Sequence, residues 1–105
     1  MSDIAGTFPT LDDFLAQLDS EFSASSDDGR KFDLLLTEVN TLIRDERQTN
    51  FSLLFRAPLD TIPAQGTYRL SHPGMPEMQI FLVPVKSDGE GVYFEAVFNN
   101  FAAQS

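Results

Sequence analysis

Few residues in this chain have side chains that could carry out catalysis. His72 is the only histidine among 105 residues, and there is no cysteine. A catalytic triad needs a histidine held between an acid and a nucleophile, and zinc sites combine several histidine or cysteine ligands. His72 lies in a His-Pro-Gly sequence, which is typical of a turn. We therefore expect a turn or packing role for it. The missing cysteines exclude disulfides and thiolate nucleophiles.

Pairs of adjacent carboxylates are the other candidates for acid–base chemistry. They are Asp12-Asp13, Asp27-Asp28 and Asp45-Glu46. Glycosidase-type hydrolysis requires two acids that face each other across a cleft, whereas neighbouring acids in one loop usually lie in solvent. The Asp-Gly segments at 27–29 and 88–90 lack the alternating ligands and closing glutamate of an EF-hand calcium loop. The sequence therefore predicts no catalytic, metal or cofactor site, and we expect that the protein is not an enzyme.

Glu95 is a conspicuous single acid because Phe94 and Ala96 flank it. In a barrel it would point outward and form part of the surface. An inward Glu95 would need a partner such as Arg56 or Arg69.

The charge balance narrows the classes of partner. Asp and Glu total 16 against 7 Lys and Arg, a formal net charge of −9. Binding to nucleic acid or to an anionic membrane surface relies on clustered Lys and Arg, which this chain lacks. The longest apolar stretch, 80–85, is too short to cross a bilayer, and the first residues do not resemble a secretory signal. We expect a cytoplasmic protein, or one within an assembly that later reaches the surface.

The pattern along the chain predicts one domain over residues 9–99, between a flexible arm at 1–8 and a tail at 100–105. Thr10 and Asp13 have the spacing of a helix N-cap with an acid in the first turn. The sequence predicts a helix over 11–19 that docks through one apolar stripe. Its members are Leu11, Phe14, Leu15 and Leu18.

Six segments with alternating apolar residues predict strands at 21–24, 31–42, 51–55, 68–70, 77–85 and 92–98. Asp-Gly turns join the first two and the last two. The alternation changes phase over 36–39, which predicts a bulge or bend, and the polar run 44–50 predicts an exposed loop. Both faces of 77–85 are largely apolar, so this strand is expected to be central or sandwiched, with Pro84 at its end or on an edge.

These elements predict a mainly β fold with α+β character. The predicted form is a small antiparallel barrel or curled sheet of about six strands, with the N-terminal helix closing one end. An open sheet with the helix on one face is the alternative.

Three segments of the second half have a distinctive order: Phe-Ser-Leu-Leu-Phe-Arg-Ala-Pro at 51–58, Gln-Gly-Thr-Tyr-Arg-Leu-Ser-His-Pro at 65–73, and Ile-Phe-Leu-Val-Pro-Val at 80–85. Together with the last strand, over about 48–99, they resemble a small bacterial domain family of unknown function. Ala57 stands where that family usually has glycine, so a tight turn there is expected to be relaxed. The resemblance implies no established activity. It implies a genetic neighbour, because such proteins often occur beside phage-tail-collar-type fibre or adhesin proteins.

Two interpretations of these segments remain open. Turn formation and core packing alone can explain Gly66, Pro73, Phe51 and Phe55. Alternatively, the segments present a strand edge that pairs with a strand of a partner. The residues predicted to contribute to such an interaction are Phe51, Leu53, Phe55, Arg56, Tyr68, His72 and Pro73.

We therefore expect a non-enzymatic protein-interaction module, accessory or chaperone-like, for a phage-tail-like or fibre or adhesin surface protein. The alternative is a structural subunit of a phage-tail-like or filamentous assembly, in which the terminal arms are exchanged between copies. An enzyme or small-ligand carrier that uses the barrel mouth is a third hypothesis, but a ligand pocket needs several convergent polar groups.

Overall fold

The computed structural model of the protein describes residues 10–101, in which six antiparallel strands form one sheet that closes into a ring. The elements are α1 (Leu11–Leu15), β1 (Glu21–Ser25), β2 (Lys31–Arg44), β3 (Gln48–Ala57), β4 (Gly66–His72), β5 (Met75–Asp88) and β6 (Gly91–Phe101). Around the ring the order is β1-β2-β3-β6-β5-β4, and β4 pairs again with β1. The predicted small antiparallel barrel with one N-terminal helix is confirmed.

Alternating residues of each strand fill the ring interior. In β3, Phe51, Leu53, Phe55 and Ala57 are buried, and in β6 the residues that face them are Phe94, Ala96 and the partly buried Phe98. Aromatic rings from different strands pack against one another. The Phe22 ring contacts the Phe55 ring edge-on, with the two centroids 5.5 Å apart. Each such burial contributes roughly 1.5–3 kcal/mol relative to an exposed side chain. The predicted inward alternation of β2 and β6 is confirmed.

The predicted N-cap of α1 is confirmed, but the predicted length of the helix is wrong. Thr10 and Asp13 each accept a hydrogen bond from the other's backbone N–H, at 3.3 and 2.9 Å. The helix ends at Leu15, not at residue 19, because the chain must turn to start β1. Asp19 takes a φ of 69° there, and its N–H donates to the Leu36 carbonyl. Only Leu11 and Phe14 of the predicted stripe are buried, while Leu15 and Leu18 are 43% and 41% exposed.

α1 closes one end of the ring. The Phe14 ring lies 6.0 Å from that of Phe51 and 5.4 Å from that of Phe98. As the only helix of residues 10–101, with five residues, it is far too short and polar to span a membrane. The predicted arm at 1–8 lies outside the described residues, and β6 runs on through Phe101.

Several strands are longer than predicted. The polar run 44–50 is not a loop, because β2 continues to Arg44 and β3 starts at Gln48. The Asp45 carboxylate accepts hydrogen bonds from the Arg47 and Gln48 N–H groups at 2.8 and 2.9 Å, which permits a short turn. The predicted irregularity in β2 is confirmed by a register shift between Leu36 and Glu38.

The prediction that β5 is central or sandwiched is confirmed in its first form, because β5 pairs with both β4 and β6, and the sandwiched form is wrong. The inward residues of β5 are buried, but Phe81 is 54% and Val85 47% exposed, so no described residue covers its outer face. Pro84 lies inside the strand at a register shift with β6, two residues beyond the last pair with β4, Gly66↔Leu82. The absent N–H is tolerated because proline occurs at bulges and unpaired edges.

Close backbone contact occurs where β3 meets the start of β6. Ala57 is the last residue of β3 and has ordinary strand geometry, so no tight turn exists there to be relaxed. Gly91 lies beside it. A Cβ on Gly91 would overlap the Ala57 carbonyl oxygen and approach Arg56 Cγ to 2.8 Å.

We predict that Gly91→Ala lowers the free energy of unfolding by about 1–3 kcal/mol, because strand backbone must move to admit the methyl group. Gly89→Ala is the matched control, since a Cβ there meets nothing within 4 Å. It should change stability by less than about 0.5 kcal/mol. Urea unfolding of both variants checks this, and equal stability would contradict the close approach.

The β1–β2 turn contains a carboxylate with a perturbed pKa. Asp28 accepts a hydrogen bond from the Ser26 hydroxyl and a bifurcated one from Arg30, whose Nε lies 3.1 Å from each carboxylate oxygen. The hydrogen bond from Ser26 contributes most and the one from Arg30 next, and together they lower the pKa of Asp28 to about 2. This exposed acid therefore stabilises the turn in its ionised form.

We predict that the Asp28→Asn variant loses less stability than the wild type as the pH is lowered. The folded pKa lies below the unfolded value, so the contribution is complete above about pH 4 and disappears as pH falls towards 2. The midpoint of thermal unfolding should fall less between pH 4 and pH 2 in Asp28→Asn than in the wild type. Asp27→Asn, which removes the neighbouring carboxylate, serves as the control and should follow the wild type.

Candidate protein-binding strand edge

The β5–β6 ladder is complete at the end of the ring near the β5–β6 turn and divides at the end where α1 lies. β6 pairs with β3 along its whole length, from Val92 to Phe101, but pairs with β5 only as far as Glu95↔Val83. Beyond that pair β5 turns away and pairs with β4. We call this divergence the fork. Past it, Ala96–Phe101 has no strand partner among residues 10–101 on the side away from β3, and we call that side the free β6 edge.

Other edges also lack a partner among the described strands, and the three longest are protected. One is 37–44 of β2, which carries register shifts at 36/38 and 41/43 and the charged residues Glu38 and Arg44. The second is 83–88 of β5 on its β4 side, which carries Pro84, Lys86 and a register shift. The third is 75–82 of β5 on the side that faces β6 across the fork, which carries Pro76 and Glu77. Bulges, prolines and charges are the usual devices that stop another strand from adding to an edge.

The free β6 edge has none of these devices. Its sequence is Ala-Val-Phe-Asn-Asn-Phe, without charge or proline. Its register with β3 is continuous over all ten pairs. Of these four edges, it is the one without a charge, proline or register shift that would stop a further strand from adding.

Alternation along the strands shows which backbone groups the edge offers. The carbonyl of Leu54, an outward residue of β3, accepts a hydrogen bond from Thr37 of β2. The backbone N–H and C=O groups of the outward residues of β3 therefore point towards β2, and those of the inward residues point towards β6. The inward residues Ala96 and Phe98 of β6 complete those bonds, so Val97 and each alternate residue beyond it direct N–H and C=O away from β3.

The side chains beside this edge are apolar and exposed on the outer face of the sheet, and they are packed against the core on its inner face. Val97 is 56% exposed on β6, and Phe81 is 54% exposed across the fork on β5. On the inner side, Phe98 stacks on Phe51 with centroids 4.9 Å apart and rings 4° from parallel. The side chain of Glu95, half-buried at the base of the fork, makes no hydrogen bond or ion pair with any residue of the described part.

Four of the residues predicted to contribute to an interaction are interior. Phe51, Leu53 and Phe55 are fully buried, and Tyr68 is 1% exposed with its hydroxyl donating to the Ala64 carbonyl at 2.5 Å. Their side chains offer no area to a partner. The three β3 residues instead pair with Phe98, Ala96 and Phe94 and so support β6 from behind.

The other three predicted residues lie apart from the fork. Arg56 forms an ion pair with Glu90 at 3.0 Å, near the β5–β6 turn. His72 is half-buried and ends β4, and Pro73 follows in the exposed β4–β5 turn. Arg56 and His72 therefore have separate partners and form no shared site with Glu95.

Hydrogen bonds assign His72 to a packing role. Its Nδ1 accepts from the Gly74 N–H at 2.8 Å, which leaves Nε2 to donate to Ser20 Oγ at 2.9 Å. The Ser20 hydroxyl in turn donates to the Gln17 carbonyl at 2.6 Å. The imidazole also lies 4.6 Å from the Phe22 ring. Nδ1 therefore holds the β4–β5 turn together and Nε2 joins that turn to the α1–β1 connection, as a structural side chain would.

Polar depressions lie on the outside of the ring. One of about 380 Å³ crosses β1, β2 and β4 and is lined partly by Ser23, Lys31 and Arg69. Within residues 10–101, no three His, Asp or Glu side chains lie close enough together to hold a metal ion. Phe and Leu side chains occupy the inside of the ring.

The sequence matches the family described as domain of unknown function DUF6916 over residues 9–98. The chain belongs to this family. The match contains α1, five whole strands and β6 as far as Phe98, so the DUF6916 domain includes the ring and the fork. No curated protein and no solved structure matches the chain significantly.

Sequence reasoning did not single out the residues at the fork as an interaction site. In the sequence, Glu95 stands out only as a single acid between apolar neighbours, and Phe81 and Val97 only as members of alternating strands. The available signal was the uncharged, proline-free end of β6, Ala96–Phe101. That run indicates an accessible strand edge only when the strand beside it in the sheet is known.

We predict alternating protection of the β6 amides from hydrogen exchange. Ala96 and Phe98 donate towards β3 and should require an opening of several kcal/mol, whereas Val97 should exchange with an opening free energy near zero. Glu95, which pairs with Val83, is the internal control and should be protected. Amide exchange followed by NMR checks this, and a well-protected Val97 in the isolated protein would contradict a free edge.

Proposed function

We propose that this protein is a non-enzymatic protein-interaction module that binds an extended segment of a partner by strand addition to the free β6 edge. The observation that carries the proposal is the contrast between this edge, with no charge, proline or bulge, and the three protected edges on β2 and β5, each of which carries charge together with a bulge or a proline. Partner main-chain groups would pair with Val97 and with alternate residues beyond it.

Backbone pairing alone supports only modest affinity. Each added hydrogen bond contributes roughly 0.5–1.5 kcal/mol net, and association costs at least about 4 kcal/mol in lost freedom of motion. Apolar contact with Val97 and Phe81 would have to supply the remainder. The stacked Phe51 and Phe98 rings behind the edge reduce the ordering cost, because the edge is already held in strand geometry.

We further propose that the partner is a phage-tail-like, fibre or adhesin surface protein, for which this domain acts as an accessory or chaperone-like factor. Support comes from the resemblance of 51–58, 65–73 and 80–85 to bacterial proteins that occur beside such genes. Fibre proteins are rich in strands whose edges are unpaired before assembly, and covering such an edge prevents premature association.

A structural subunit of a phage-tail-like or filamentous assembly is the second candidate. The uncharged run Ala96–Phe101 favours it, because two copies could pair there without opposing like charges at the edge itself. The net charge of −9 on each copy opposes such self-association, most strongly at low ionic strength.

We predict that Val97→Pro abolishes partner binding while the fold is retained. The substitution removes an N–H that faces the free edge and leaves the β3–β6 hydrogen bonds intact. Val97→Ala is the matched control, because it shortens the side chain but keeps the N–H. Co-expression with the product of the neighbouring gene, followed by affinity purification, should yield the partner with the wild type and Val97→Ala, and at least about tenfold less with Val97→Pro.

Two results would overturn the proposal. Undiminished capture by Val97→Pro, with thermal unfolding showing a folded domain, would place the interface elsewhere. A wild-type protein that sediments as a monomer and captures nothing would remove the interaction function. Concentration-dependent oligomers that Val97→Pro dissociates would favour the structural subunit.

A further inference from the structure

We infer, on the basis of the proposed strand addition, that the accepted segment presents an arginine or lysine opposite Val97. Its aliphatic stem would lie between Val97 and Phe81, and its cationic group would reach Glu95. The occupant is thus an extended, locally basic peptide segment of a partner and not a second copy of this acidic chain.

Glu95 is distinguished from other acids by its surroundings. Its cross-strand neighbours on the outer face are Leu54 and Val83, both apolar and half-buried. The ion pairs within the described part of the chain involve other acids: Asp12, Asp28, Glu77 and Glu90. Lys86, on the same sheet, lies 4.7 Å from the centre of the Tyr93 ring.

Partial burial makes an approaching cation more effective at Glu95 than at a fully solvated acid. The attraction between opposite charges rises as the local dielectric constant falls. A half-buried carboxylate between two apolar side chains is therefore the strongest recognition element beside the fork. The net charge of −9 adds long-range attraction for a basic segment and repels another copy of this chain.

The register of the fork specifies where that cation must come from. Val83 already occupies the position directly opposite Glu95, so an added strand can begin only beyond it. The first outward position of the added strand then lies opposite Val97, on a diagonal from Glu95. Diagonal cross-strand neighbours are roughly 7–8 Å apart, a separation that arginine and lysine span.

The exposed side chains at the fork suit the stem of such a residue. Val97 and Phe81 are both more than half exposed and belong to the two diverging strands. Arginine and lysine commonly bury their methylene groups against apolar surface while the charged end reaches outward. A short polar or acidic residue at the same position would leave both Glu95 and the apolar surface without a partner.

The test uses two capped seven-residue peptides with the sequence Thr-Val-Thr-Val-Thr-Xaa-Thr, in which Xaa is arginine or glutamate. In antiparallel pairing with β6, Xaa lies opposite Val97 and only the last threonine lies nearer to Glu95. Binding to the wild type, Glu95→Gln and Glu90→Gln is followed by NMR titration, with exchange of the Val97 amide as the reporter of edge occupancy. Glu90→Gln is the matched control, because Glu90 pairs with Arg56 away from the fork.

The arginine peptide should bind the wild type and Glu90→Gln at least about fivefold more tightly than the glutamate peptide does. In Glu95→Gln the difference should fall below about twofold, and 0.5 M salt should reduce it in the wild type. Val97→Pro should remove binding of both peptides.

Two outcomes separate failure of this inference from failure of the proposed function. If both peptides slow Val97 exchange equally, the basic anchor is wrong and strand addition stands. If neither peptide slows Val97 exchange at millimolar concentration, the result counts against strand addition itself.

Discussion

The separation of β5 from β6 after the Glu95↔Val83 pair is the constraint on which the rest of the molecule depends. α1 lies at the end of the ring where this happens, and its Phe14 packs on Phe51 and Phe98. Phe14 thus fills this end of the interior beside β3 and β6. The divergence leaves a strand edge on β6 that no described residue covers.

The core and the proposed interface are therefore parts of one arrangement. Phe51, Leu53 and Phe55 belong to the interior, yet they lie directly behind the β6 residues whose alternate neighbours face the edge. Their contribution to binding would be indirect, through the rigidity of β6. This reconciles the two interpretations of the β3 sequence, since packing of that strand and presentation of the edge require the same side chains.

Local patterns predicted local structure well where neighbouring residues carry the information. The Thr10–Asp13 cap, the alternation of β6 and the irregularity near Thr37 are visible in short windows of sequence, because each depends on hydrogen bonds or side-chain direction over a few residues. Prediction failed for the polar run 44–50, where strand pairing between β2 and β3 overrides polarity. It also failed for Leu15 and Leu18, where the chain must leave the helix to reach β1.

The sequence by itself determined the number of strands, their inward residues and the scarcity of residues able to perform catalysis. These properties follow from residue type and from a repeat of two along each strand. Only the tertiary structure decided which edges lack a partner and that Glu95, Val97 and Phe81 meet at one fork. Strand partners and their register are set by pairing between distant segments and by how α1 fills the end of the ring, and neither is encoded within any single segment.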